Sequence, residues 1–127
     1  MSSFSDYLEN AALSHVFRNA PLASPSAVYL ALFTAAPTDA GGGTEVSAGG
    51  YARQAVTFGA PSGGEIANTA SVGFTASGAA FGSVVAVGYF DAATAGNMLA
   101  WAPITSASVG DGDTINFPSG QLTISLT

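Results

Sequence analysis

The sequence has no cysteine and no lysine, and Arg18 and Arg53 are its only fixed cations against eight acids. The absence of cysteine excludes disulfide staples and thiolate metal sites, so stability has to come from packing and association. With a formal net charge of −6, the chain would repel a phosphate backbone rather than neutralise it, which argues against direct nucleic-acid binding. Charged residues make up only 8% of the chain, against roughly 25% in ordinary soluble domains. Alongside a hydrophobic fraction of 48%, so thinly charged a surface is poorly protected as a free monomer and predicts an oligomer or a larger assembly. A basic N-terminal region is missing too: the first turns hold Asp6 and Glu9, which is not the pattern of a secretory signal. No uninterrupted apolar run approaches the roughly 20 residues needed to span a bilayer. These absences lead to the expectation of a soluble protein made in the cytoplasm, with neither a membrane nor a nucleic acid as partner.

What the chain does have is short apolar runs separated by turn residues. Its 127 residues suit one domain that buries roughly two thirds of its unfolded surface. Ser3 or Ser5 can cap a helix running to Phe17 or Arg18, with Asp6 and Glu9 near the positive end of its dipole. Phe4, Leu8, Ala11 and His15 fall on one stripe of that helix, and Leu13, Val16 and Phe17 widen its apolar surface. The stripe either caps the chain's own β-core or anchors a neighbouring subunit.

Val28 to Thr34 is apolar on both alternating sets, which predicts a strand covered on both faces. Tyr51 to Phe58 reads as a second strand with one more polar face, and the two are joined by a Gly-rich connector with Gly41-Gly42-Gly43 and Gly49-Gly50. The connector is read either as a mobile loop or as a segment laid on a neighbour. Further short strands follow around Glu65 to Ala67, Ser71 to Thr75, Ser83 to Phe90, Met98 to Ala102, Thr114 to Phe117 and Gln121 to Thr127, with Pro103 expected to limit the fourth of these. About seven or eight short strands with regular turn signals predict a mainly β chain, a β-sandwich of Greek-key or jelly-roll type, with one N-terminal helix over about 4–18.

Chemistry has little to stand on. His15 is the only histidine and lies on a helix face, where a structural imidazole suits it better than a catalytic base. Asp111 and Asp113 sit in Gly-Asp-Gly-Asp, a turn that lacks the later bidentate acid of a calcium loop. The Gly-rich connector has neither the following lysine nor the helix start of a phosphate loop. No catalytic residue, metal site or cofactor is expected. The remaining candidates are contact residues: Phe4, Leu8 and Val16 on the helix, and Glu45, Tyr51 and Arg53 around the connector. Arg53 is read as stacked on the Tyr51 side of its strand or paired with a carboxylate such as Glu45, and either as a solvated surface arginine or as a planar fork that fixes the connector or a neighbour.

Four segments together, FSDYLENAALSHVF, LALFTAAPTDAGGGTEVSAGGYARQAVTF, VGYFDAATAGNMLAWAPI and DTINFPSGQLTISL, resemble a family of small tailed-bacteriophage virion proteins often labelled tail-fibre or hypothetical proteins. The resemblance covers most of the chain. It implies a non-enzymatic structural component of a virus particle, formed in the host bacterium, and leaves capsid and tail both open. Because the sequence carries no collagen-like, coiled-coil or β-helix repeat of a fibre shaft, the favoured expectation is a capsid decoration or cement protein that binds the major capsid protein as a homo-oligomer, a trimer above all. The alternative is a tail-associated module that binds a receptor or glycan.

Overall fold

The computed structural model describes residues 3–126. In chain order its elements are β1 (Ser3–Phe4), α1 (Asp6–Phe17), β2 (Val28–Ala35), β3 (Thr44–Glu45), β4 (Gln54–Val56), β5 (Glu65–Ala67), β6 (Val72–Thr75), β7 (Gly82–Phe90), β8 (Met98–Val109), β9 (Thr114–Phe117) and β10 (Thr123–Ser125). The chain is mainly β with one N-terminal helix, as its periodicities predict. One large antiparallel sheet runs β1-β8-β7-β2-β3, with β4 also on β2, and two ladders, β5 with β10 and β6 with β9, stand apart from it.

The two-faced pattern of β2 decides where the core lies. Leu30 and Leu32 point into a large cluster with Val87, Tyr89, Val72, Phe74 and Phe117, so the β6–β9 ladder covers one face of the main sheet. Ala31 and Phe33 point the other way, into a smaller cluster with Ala86 that Val85, Phe90 and Trp101 flank. Both sets are buried, since a central strand that exchanged either one for polar residues would leave one layer without its apolar partner.

Several boundaries differ from the sequence expectation, each for a local reason. The helix starts at Asp6 rather than Phe4, because Phe4 pairs with Ala100 as an edge strand and Ser5 is the cap. The Ser5 hydroxyl accepts from the Leu8 N–H at 3.2 Å and donates to the Met98 carbonyl, which ties the helix start to β8. The second strand shrinks to Gln54–Val56, while Phe58 makes an isolated bridge to Asn68. Pro103 does not end β8, which continues to Val109. Proline is tolerated there because β1 pairs no further along than Trp101, leaving Pro103 on a sheet edge where a missing N–H costs no ladder bond. Opposite it the register shifts between Val84 and Ala86, so that a longer stretch of β8 faces a single residue of β7.

The Gly-rich connector is neither an open loop nor an arm reaching outward. Thr44–Glu45 pairs with β2, Val46 donates to the Leu32 carbonyl at 2.9 Å, and the Val46 side chain is buried. Gly49 makes this return possible: its φ is +67°, and a Cβ there would lie 2.6 Å from the Ala79 carbonyl oxygen.

Asn68 is a second fastening, and it was not visible in the sequence. Its buried amide donates to the carbonyls of Ala70 at 2.9 Å and Pro118 at 3.1 Å, and its oxygen accepts from the Leu122 N–H at 2.9 Å. One short side chain thereby joins the β5–β6 turn to the segment that leads into β10.

Candidate functional site

By folding back onto β2, the connector carries Glu45 to the place where the chain passes through Tyr51 and Arg53 on its way into β4. Arg53 grips the Glu45 carboxylate with two prongs: Nε to Oε2 and Nη2 to Oε1, each at 2.9 Å. The Tyr51 hydroxyl donates to Oε2 at 2.6 Å and accepts from the Leu32 N–H at 3.0 Å. The remaining guanidinium nitrogen, Nη1, donates to the carbonyls of Ala92 at 2.9 Å and Ala95 at 2.8 Å. Below, the guanidinium carbon lies 3.8 Å from the centre of the Phe90 ring. Arg53 thus joins β3, the entry to β4 and the 91–97 turn between β7 and β8. Ala95 in that turn is held at φ 53°, a left-handed conformation unusual for alanine, and its carbonyl is one of those Arg53 engages.

The electrostatics follow from this geometry. Burial raises the Glu45 carboxyl, but the hydrogen bonds from Arg53 and Tyr51 and the charge of Arg53 outweigh it, and the net effect holds the acid below its ordinary 4.5. Burial first, and then the hydrogen bond to Glu45, pushes the Tyr51 phenol well above its usual range. The hydrogen bond to Glu45 raises Arg53 further, so the pair is fully ionised at neutral pH. The Arg53 side chain is 7% exposed and that of Glu45 27%, and removing one partner of a pair this covered would leave the other charge poorly solvated and unpaired.

Beside the clamp lies an open polar groove of about 590 Å³ bounded by Tyr7, Asp39, Glu45, Arg53, Asn97 and the 40–43 glycine turn. Asp39 accepts from the Trp101 indole N–H at 2.9 Å, while its carbonyl accepts from the Asp6 N–H at 2.8 Å, so the start of the helix and the connector meet at the groove. Among the described residues no group of three or more His, Cys, Asp or Glu side chains could hold a metal ion. His15 is exposed, with Nδ1 3.1 Å from the Ala20 carbonyl oxygen.

The six residues singled out from the sequence fall into two places. Glu45, Tyr51 and Arg53 converge in the clamp. Phe4 packs against the core, Leu8 is partly buried beside it, and Val16, two turns further along the helix, stands 64% exposed, so the helix trio does not form one surface. The sequence reading missed Phe90 as the floor of the clamp and the Ala92 and Ala95 carbonyls as its far end. Backbone carbonyls leave no residue-type signal, even where Gly96 and Asn97 mark the turn that carries them.

Over this whole architecture, residues 3–125, the chain matches the family model described as Podophage GP4 fiber I protein gp80. The chain belongs to the gp80 family. It is accordingly a structural protein of the phage virion, as the resemblance implied. No curated protein matches the chain. The match to gp80 takes in α1, the clamp and all three ladder systems, so the geometry described above lies wholly within the region shared with the family. No helix among the described residues is long and apolar enough to cross a membrane.

Proposed function

We propose that this chain is a tail-associated fibre module of the virion, a non-enzymatic part that works through contact with other virion proteins and with copies of itself, as a trimer. The observation that carries this reading is the match of residues 3–125 to a family named for a fibre protein. The clamp supports a mechanical role: a bidentate ion pair, an aromatic floor and two carbonyl bonds are spent on holding three chain segments in register. Beside it, the exposed Tyr7 ring with the Asp39 carboxylate and Asn97 amide gives the groove the mixture of ring and hydrogen-bonding groups that suits a receptor glycan.

A second reading, a decoration protein seated on the major capsid protein, is favoured by the lack of any shaft repeat in the sequence. Copy number separates the two. Quantitative mass spectrometry of purified particles, with antibody labelling seen by electron microscopy, is expected to give few copies at one vertex. Hundreds of copies spread over the shell would overturn the fibre reading in favour of decoration.

A further inference from the structure

Helix α1 carries two apolar stripes, and only one is used within the chain. Leu8, Ala11 and Ala12 face the body and are partly buried. On the opposite side Leu13, Val16 and Phe17, spaced three and four apart, are 56%, 64% and 77% exposed. Next to them stands Arg18, exposed and paired with no carboxylate among the described residues. Arg53 is committed to Glu45, so Arg18 is the one of the two cations left for an outside partner.

An apolar groove of about 340 Å³ opens elsewhere, between α1, β8 and the β5–β10 ladder. Its walls include Phe4, Val28, Phe58, Ile66 and Ile124, and Leu126, 69% exposed, forms its rim. At the edge is Glu65, whose carboxylate accepts only from the Ser125 hydroxyl at 2.9 Å among the described residues. Knob and groove thus match in character, apolar against apolar, with a free cation beside one and an available acid beside the other. They cannot meet within one chain. Leu8, at the first turns of the helix, lines the groove, whereas the knob lies about 7 to 14 Å further along the same helix and on its other side.

We propose that Leu13, Val16 and Phe17 of one copy seat in the groove walled by Phe4, Val28, Phe58, Ile66 and Ile124 of a second copy, with Arg18 against Glu65. This inference rests on the self-association included in the proposed function and names the surfaces that produce it. The contact joins unlike patches, so it runs head to tail and closes into a ring where the rotation allows, a threefold ring for a trimer.

Sedimentation of the full chain at tens of micromolar tests it, with Phe17→Asp as the variant, because a residue so exposed can change without unfolding the monomer. The parent is expected to associate, and Phe17→Asp to weaken association at least tenfold with an unchanged melting temperature for the monomer. Crosslinking gives a second readout, since the parent has no cysteine. Chains carrying Phe17→Cys, mixed with chains carrying Leu126→Cys and oxidised, should give mainly the mixed dimer. An associating parent with an unaffected Phe17→Asp variant, or crosslinking dominated by Phe17→Cys with itself, would overturn the knob-and-groove contact and leave self-association standing. A parent that stays monomeric would overturn both, without touching the fibre assignment.

Discussion

Arg53 and Glu45 meet as two parallel hydrogen bonds, Nε to Oε2 and Nη2 to Oε1, both at 2.9 Å. The relationship matters because the third guanidinium nitrogen is free to reach the carbonyls of Ala92 and Ala95. A lysine ammonium could meet the carboxylate but could not also span to the turn while lying flat on Phe90. Arg53→Lys is therefore expected to lose nearly as much stability as Arg53→Ala, about 2 to 3 kcal/mol for a covered charged network. Urea denaturation of the two variants beside the parent checks this, and a lysine variant that unfolds with the parent would show that the fork has no role.

The same network sets a pH dependence. The folded Glu45 carboxyl titrates below its ordinary 4.5, so its contribution to stability is fully present above that value and is lost as pH falls through the lowered one. Melting temperature should hold steady from neutral pH down to the ordinary carboxylate range and then drop, with Glu45→Gln flattening that drop. At the alkaline end the sign reverses. Burial and Glu45 raise the Tyr51 phenol, and burial alone pushes Tyr89 up to about 12. Their contributions are intact below the usual tyrosine value of 10 and fall away as pH rises beyond it. Tyr51→Phe should blunt the alkaline loss, and an unchanged alkaline profile in that variant would speak against the assignment.

Gly88 is required by size rather than by backbone angle. A Cβ at this position would lie 2.8 Å from Cε1 of Phe33 and 3.2 Å from Cε1 of Phe90, beneath a ring pair whose centres are 6.3 Å apart. Gly88→Ala should cost about 1 to 3 kcal/mol through overpacking. Adding Phe33→Leu, which withdraws the nearer ring, should return part of that loss. A thermal-melt double-mutant cycle measures the coupling, and strict additivity would mean that the clash is relieved elsewhere.

Removing residues 1–18 tests the helix as a cap of its own core. The deletion strips the β1 pairing from β8, the Phe4 cover from the core and the Ser5 bond to Met98. Circular dichroism is expected to show loss of the cooperative melt. A truncated chain that keeps the parent's melting curve would make the helix an accessory to association alone.

By itself the sequence determined that the chain is mainly β, with β2 covered on both faces. Alternation and composition are local properties, and the physics of burial reads them directly: Leu30 and Leu32 on one side, Ala31 and Phe33 on the other. It also marked Glu45, Tyr51 and Arg53, because a chain with two cations makes each one conspicuous. Tertiary structure alone decided what those residues hold. The Ala92 and Ala95 carbonyls, the Phe90 floor and the Asn68 fastening all pair groups distant in sequence, and a backbone carbonyl looks the same at every residue. Pro103 teaches the same lesson from the other side, since whether proline breaks a strand depends on which strand lies beside it. The helix divided the two kinds of information most sharply. Its periodicity revealed a broad apolar surface, but only packing against β8 settled that Leu8 faces inward and that Val16 and Phe17 are left to the outside.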